Sequence, residues 1–349
     1  FRRSVLGVSY NAGYNYFGSA TGFNGTNQAL SLAYGRRLTR RLEMNWTNTA
    51  SVTNRILGNP LNQPGIGVDI VSVPVNELFD TRIYFLQSQM TAGYNLNSRW
   101  QIQFGGSGGV TRRQARSLAD ANMYGGSASV TYRWSRNTTI GGGYNYTAFN
   151  FGRSFGESGI HALSLNFARR IGQAWQVSAS VSGQGIHTIG VRRVALDPVI
   201  AALLGSGSGV EAFDSRVRIG GYGLSLARSF RRSNFEVRAD RSIVPGNGLL
   251  LTSVINSQSA SVTYNVARKW NLVMGANRST MGEVAGGTFG AFKSWGTQIG
   301  VGRNLTDEIT VNGTLEYRSF TLSDSPLDRT GTRYLVGISY TPRSLPFGK

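Results

Sequence analysis

The side chains on which most enzymes depend are scarce in this sequence. Cysteine is absent, which excludes thiol nucleophiles, disulfides and thiolate metal sites. Only two histidines occur. His161 shares an apolar parity with Leu163 and Leu165, and His187 has no identifiable partner. The run Gly105-Gly106-Ser107-Gly108-Gly109 matches G-x-S-x-G. That motif works only at a strand-to-helix elbow, and here it lies inside a glycine-rich strand. No P-loop, dinucleotide fingerprint or metal-ligand spacing is present. The expectation is a protein with no catalytic residue, no metal and no cofactor.

What remains is charge. The formal net charge is +19, from 33 arginines and 3 lysines against 17 acids. Glu236, Arg238 and Asp240 follow one another at every second position, as do Glu316 and Arg318, with Arg333 further on. Side chains two apart share one face of a strand, so each group forms a short row of alternating sign. Basic residues otherwise gather where elements end, not along one helix or sheet face, so a nucleic-acid partner is not expected.

The elements that must carry these residues are strands. In Ala174 to Gln184, Trp175, Val177, Ala179 and Val181 alternate with Gln176, Ser178, Ser180 and Ser182. Gln258 to Val266 and Thr310 to Tyr317 alternate the same way. This period of two puts one face in apolar surroundings and leaves the other to Ser, Thr, Asn, Gln and Gly. Sixteen such segments begin near residues 3, 28, 42, 83, 99, 123, 138, 160, 174, 216, 234, 258, 270, 294, 308 and 332. Glycine fills 46 positions, proline 8, and charged residues 15%, so the chain is glycine-rich and charge-poor against ordinary values of about 7% and about 25%. No window approaches eighteen consecutive apolar residues, so no membrane helix is expected. Phe1 is not preceded by a basic-apolar leader, and the chain reads as a mature or trimmed form.

Seven connections are short: near 37–39, 97–98, 135–136, 172–173, 231–233, 268–269 and 304–307. The rest are longer, with 57–81 and 194–215 the longest. An even strand count with short turns on one side and long loops on the other predicts a single antiparallel transmembrane β-barrel of about 16 strands. The short turns and both termini then fall on the periplasmic side, and the long loops outside. Trp100, Trp134, Trp175 and Trp270 lie beside short turns, as an aromatic girdle at one lipid–water interface would.

The chain also repeats. Ala29-Leu30-Ser31-Leu32 recurs as Ala162-Leu163-Ser164-Leu165, and Gly13-Tyr14-Asn15-Tyr16 recurs at Gly143 to Tyr146. Ser127 to Tyr132 recurs unchanged at Ser259 to Tyr264, and Phe79-Asp80-Thr81-Arg82 reappears near Phe213 as Phe213-Asp214-Ser215-Arg216. All offsets lie between 130 and 134. This predicts an internal six-strand duplication within one barrel spanning 1–349, with units at about 1–134 and 135–268 and a partial unit at 269–349.

The alternating strands, the turn asymmetry and the last strand, Tyr334-Leu335-Val336-Gly337-Ile338-Ser339-Tyr340, resemble the Gram-negative outer-membrane β-barrel superfamily. That strand looks like the aromatic-ended C-terminal insertion signal of the superfamily, although nine residues follow Tyr340. The resemblance implies the bacterial outer membrane, with lipid bilayer and lipopolysaccharide around the wall. Sixteen strands resemble general porins and also exopolysaccharide-export barrels. The reading that follows is a channel for polar or anionic solutes. An export barrel for an acidic polysaccharide and a structural, anchoring barrel are the alternatives. A plug or acidic periplasmic partner and a homo-oligomer fit the same picture.

Charge sorts by end. The short-turn end and termini hold nineteen basic residues against Glu43, Asp307 and Glu308. Among them Arg36, Arg37, Arg40, Arg41, Arg169, Arg170, Arg231, Arg232, Arg268 and Lys269 would form a basic periplasmic mouth. It gathers anions, docks an acidic partner, or contacts anionic lipid headgroups. On the lumen parity, Glu236, Arg238, Asp240, Glu316, Arg318 and Arg333 would set a transverse field or brace the wall. The stretch Ala195 to Phe213 breaks alternation: Asp197 suits an N-cap and Pro198 a first helical position, with an apolar turn and a half after them. It is expected to narrow the pore together with 57–80, placing Arg192, Arg193 and Arg216 near the constriction.

Overall fold

The computed structural model describes residues 4–16, 25–54, 82–114, 119–152, 156–195, 208–245, 252–284, 291–322, 328–340 and 345–347. They form one antiparallel sheet. Its strands are β1 (Ser4–Tyr16), β2 (Gly25–Arg37), β3 (Leu42–Asn54), β4 (Arg82–Asn95), β5 (Trp100–Arg113), β6 (Asp120–Arg133), β7 (Thr138–Gly152) and β8 (Gly156–Ile171). There follow β9 (Trp175–Ala195), β10 (Ser208–Ser229), β11 (Ser233–Pro245), β12 (Thr252–Ala267), β13 (Trp270–Glu283), β14 (Phe292–Asn304), β15 (Ile309–Leu322), β16 (Asp328–Tyr340) and the short β17 (Leu345–Phe347). Each strand pairs with its sequence neighbour, and β1 pairs with β2 along one edge and β16 along the other. Every one of the sixteen long strands is thus hydrogen-bonded on both sides, the barrel's answer to the free sheet edge.

The short turns fall where the sequence places them: residues 38–41, 96–99, 134–137, 172–174, 230–232, 268–269 and 305–308. Local chemistry specifies several. Thr39 Oγ1 accepts from the backbone N–H groups of Arg41 (3.2 Å) and Leu42 (3.0 Å). Asn97 Oδ1 accepts from those of Arg99 (2.8 Å) and Trp100 (2.9 Å), and Thr306 Oγ1 from those of Glu308 (3.2 Å) and Ile309 (2.9 Å). These side chains stand in for a backbone acceptor and fix the reversal. Gly172, at φ +62°, supplies the left-handed residue of the 172–174 turn.

One face of the wall is apolar and open. Leu163 (66% exposed), Leu165 (65%), Val336 (65%) and Phe104 (58%) stand on it. A water-soluble monomer does not tolerate so extensive an apolar surface, whereas lipid requires it. Each repeated stretch recurs on the strand six positions later: β1 and β7, β2 and β8, β6 and β12. Phe79 and its neighbours to Thr81 lie outside the described residues.

Sixteen long strands agree with the expected number of about 16; among the described residues a three-residue β17 is added, which pairs with Ser4–Leu6 of β1. One expectation needs correction here. The stretch expected to leave the strand at Ala195 does so only in part. Residues 208–213 belong to β10 and pair with Ala195 to Gly190 of β9, carrying this hairpin beyond its neighbours. Arg192 and Arg193 accordingly lie in β9, opposite Glu211 and Val210. Valines at 191, 194 and 210 favour the extended form, and pairing satisfies the backbone groups that a loop would leave open. Asp197, Pro198 and the apolar turn after them lie outside the described residues.

Candidate channel lumen

Register decides which side chains share the lumen, because paired residues point the same way and parity alternates along each strand. Taking the exposed apolar parity as outward, the inward set on β9 is Gln176, Ser178, Ser180, Ser182, Gln184, Ile186 and Thr188. Across from it stand Ser225, Gly223 and Gly221 of β10, and Ser164 and Asn166 of β8. Ser178 and Ser225 hydrogen-bond at 2.7 Å. The wall toward the short turns is therefore lined by hydroxyl, amide and glycine.

Toward the long loops the same parity turns apolar. Phe85 of β4, Ala121 of β6, Phe149 and Phe151 of β7, Ile160 of β8 and Ile186 of β9 point inward, as do Ile255 of β12, Met281 of β13 and Phe292 of β14. None of these is more than 8% exposed. A side chain facing an open, water-filled lumen of this strand number would be wet. The layer is packed instead, and Met123, Phe213 and Ile219 join its main cluster. Ser158 and Thr188 hydrogen-bond at 2.9 Å within it. The sequence reading missed this layer, although its signal is present: the inward parity switches from Ser and Gln to Phe and Ile in the last residues before the long loops.

Glu236, Arg238, Asp240, Glu316 and Arg318 keep the inward parity. On β11, Arg238 Nε donates to Glu236 Oε1, and Asp240 accepts from the hydroxyl of Ser257 on β12. On β15, Glu316 and Arg318 are each 5% exposed. A Cβ added at Gly296, which pairs with Arg318, would lie 3.6 Å from Arg318 Cγ and 3.3 Å from Asn277 Oδ1 of β13. Arg333 stands opposite Glu316 in the β15–β16 register. A further charged pair was not anticipated. Arg113, 2% exposed, donates its backbone N–H to Asp120 Oδ1 at 2.8 Å and its Nη1 to the carbonyl of Ala119, beside fully buried Ile83.

The basic mouth divides by parity. Arg37 and Arg170 point inward, Arg37 opposite Glu43 and Arg170 opposite Gln176. Arg36 and Arg169 share the outward parity of Leu32 and Leu165. Arg40, Arg41, Arg231, Arg232, Arg268 and Lys269 occupy the turns. Trp100, Trp175 and Trp270 each open a strand at a short turn, and Trp134 begins one. Arg228 lies 4.7 Å above the Trp175 ring and Arg303 5.1 Å above that of Trp270, so outward arginines stack on the girdle. Arg216 departs from expectation. It shares the parity of Tyr222 and Leu224 on β10 and faces outward, away from any lumen constriction. His161 and His187 also face outward; Tyr144 Oη lies 2.6 Å from His161 Nδ1, and His187 Nε2 lies 2.7 Å from Asp214. Gly105 to Gly109 sits within β5, and the next described element is the strand β6.

No family model matches the chain, and no curated protein matches it. Solved structures do. It is similar to OprB of Pseudomonas putida, determined at high pH, with 12% identity and a TM-score of 0.53, covering 99% of this chain and 94% of that one. It is also similar to OmpT, an outer membrane protein of Vibrio cholerae in its trimer form, with 10% identity and a TM-score of 0.50, covering 97% and 99%. At such identities the likeness is one of fold, and it agrees with the lipid-facing wall, the turn asymmetry and the strand pairing. The chain has the antiparallel β-barrel fold of these two proteins.

Proposed function

We propose that the barrel is a channel for polar or anionic solutes, with no chemistry of its own, and that the apolar layer is its closed outer gate. The single observation that carries this reading is the two-zone lumen. Hydroxyl, amide and glycine line the periplasmic part, and buried Phe149, Phe151, Ile160 and Ile186 occupy the outer part. Hydrophobic constrictions stop ions by excluding water without needing a solid plug. The six lumen charges balance in sign, three acidic and three basic. Any anion preference therefore comes from Arg37 and Arg170 at the mouth, which concentrate anions before they enter. Both histidines point outward, so neither serves a lumen serine as a base.

The sealed outer end together with the basic mouth also favours a second reading, an export barrel for an acidic polysaccharide that opens only with periplasmic partners. Single-channel conductance with reversal potential in a salt gradient separates the two. A channel opens spontaneously with an anion-shifted reversal potential. Silence in the parent chain, with conductance appearing only once a partner is present, supports the exporter.

A further inference from the structure

The outward face carries a feature that the lumen reading does not use. On the β8–β9–β10 panel, register aligns outward residues in rows. The uppermost apolar rows hold Leu165, Val181 and Tyr222, then Leu163 beside Gly183 and Gly220. The next row is His161–Gly185–Arg218, and above it stand His187 and Arg216. Gly185 lies ten residues beyond girdle residue Trp175 on one strand. At about 3.4 Å per residue and a tilt of about 40°, that is roughly 26 Å along the membrane normal, the height of the apolar band. Arg218 and Arg216 thus stand where the hydrocarbon ends and the outer headgroup layer begins.

Three further observations make this a site. A Cβ added at Gly183, Gly185 or Gly220 would meet nothing within 4 Å, so the floor between Arg218 and His161 is an uncovered trough. Asp214, the acid nearest along the strand, is taken by His187 at 2.7 Å. Among the described residues no hydrogen bond or ion pair engages Arg216 or Arg218. Guanidinium forks match phosphate oxygens in pairs, and the charge is worth most at the edge of a low-dielectric layer.

We propose that Arg216 and Arg218, over the floor of Gly183, Gly185 and Gly220, bind the phosphate of a phosphorylated glycolipid in the outer leaflet. The acyl-facing surface of Leu163, Leu165 and Val181 lies directly below the arginines, so one ligand must present a phosphate and hydrocarbon chains at adjoining heights. Free phosphate offers only the first.

The test uses the full chain in mild detergent and native mass spectrometry. The probes are a diphosphorylated hexa-acyl glucosamine disaccharide, its dephosphorylated form and inorganic phosphate. The wild type should retain the diphosphorylated lipid, R216Q/R218Q should bind it about tenfold more weakly, and K293Q on β14 should bind as the wild type does. Should the double variant not fold, R218Q alone should weaken binding about threefold. Dephosphorylated lipid should bind poorly, and millimolar inorganic phosphate should not displace the glycolipid. Equal binding by the arginine variants, or equal binding of the dephosphorylated lipid, overturns the proposal. Displacement by inorganic phosphate overturns it too, in favour of a free-anion site.

Discussion

The two ends of the barrel are built by different rules. At the short-turn end, turns of two to four residues reverse the chain through side-chain acceptors such as Thr39, Asn97 and Thr306, and the lumen behind them is polar. At the outer end the strands are uneven, with β9 and β10 running past their neighbours, and the lumen is packed with apolar side chains. The first end is specified locally, by residues within a few positions of one another. The second is specified by contacts between strands far apart in sequence, from Phe85 to Phe292. One wall therefore holds a shape set by turn chemistry below and by packing above.

Substitutions that break this contrast should act in order of size. Replacing Phe149, Phe151, Ile160 and Ile186 by serine removes the apolar layer and should raise single-channel conductance severalfold; unchanged conductance would mean that the restriction lies elsewhere. Deleting 198–209 should raise it less, because the packed layer is left in place, and planar-bilayer recording reads the difference. Changing Arg37 and Arg170 to glutamine should reduce anion preference, whereas R36Q/R169Q, on the lipid face, should leave it alone. The effect should fade as salt shortens the screening length to about 8 Å or less. The smallest change is expected at the turns. T39A or N97A each removes an acceptor for two backbone donors and should cost about 1 kcal/mol, measured as a shift in urea unfolding from detergent or lipid.

Much of the lower end was legible in the sequence, because its signals are local. Strand starts such as Leu42, Thr138 and Trp270, and the positions of all seven turns, follow from alternation and from turn-forming residues. The lumen parity of Glu236, Arg238 and Asp240 was readable for the same reason. The outer end was not. Residues 191–194, with two valines, and 208–213 extend a hairpin because each satisfies the other's backbone, and neither segment reveals that alone. Arg216 was assigned to the lumen from its proximity to a long loop, yet parity, counted from Leu224, sends it outward. Arg113 and Asp120 meet across a loop end that no spacing rule marks.

The central claim is that the lumen is wet below and dry above on the same face of the same strand. Because the chain contains no cysteine, single cysteines report this cleanly. Ser180 and Ile186 both face the lumen on β9, Ser180 in the polar zone and Ile186, 3% exposed, in the apolar layer. With the barrel inserted in vesicles and a small, charged thiol reagent applied from the short-turn side, S180C should label rapidly and I186C should resist. In I186C carrying F149S and F151S, labelling should recover. Equal labelling of S180C and I186C in the otherwise unchanged barrel would contradict the account.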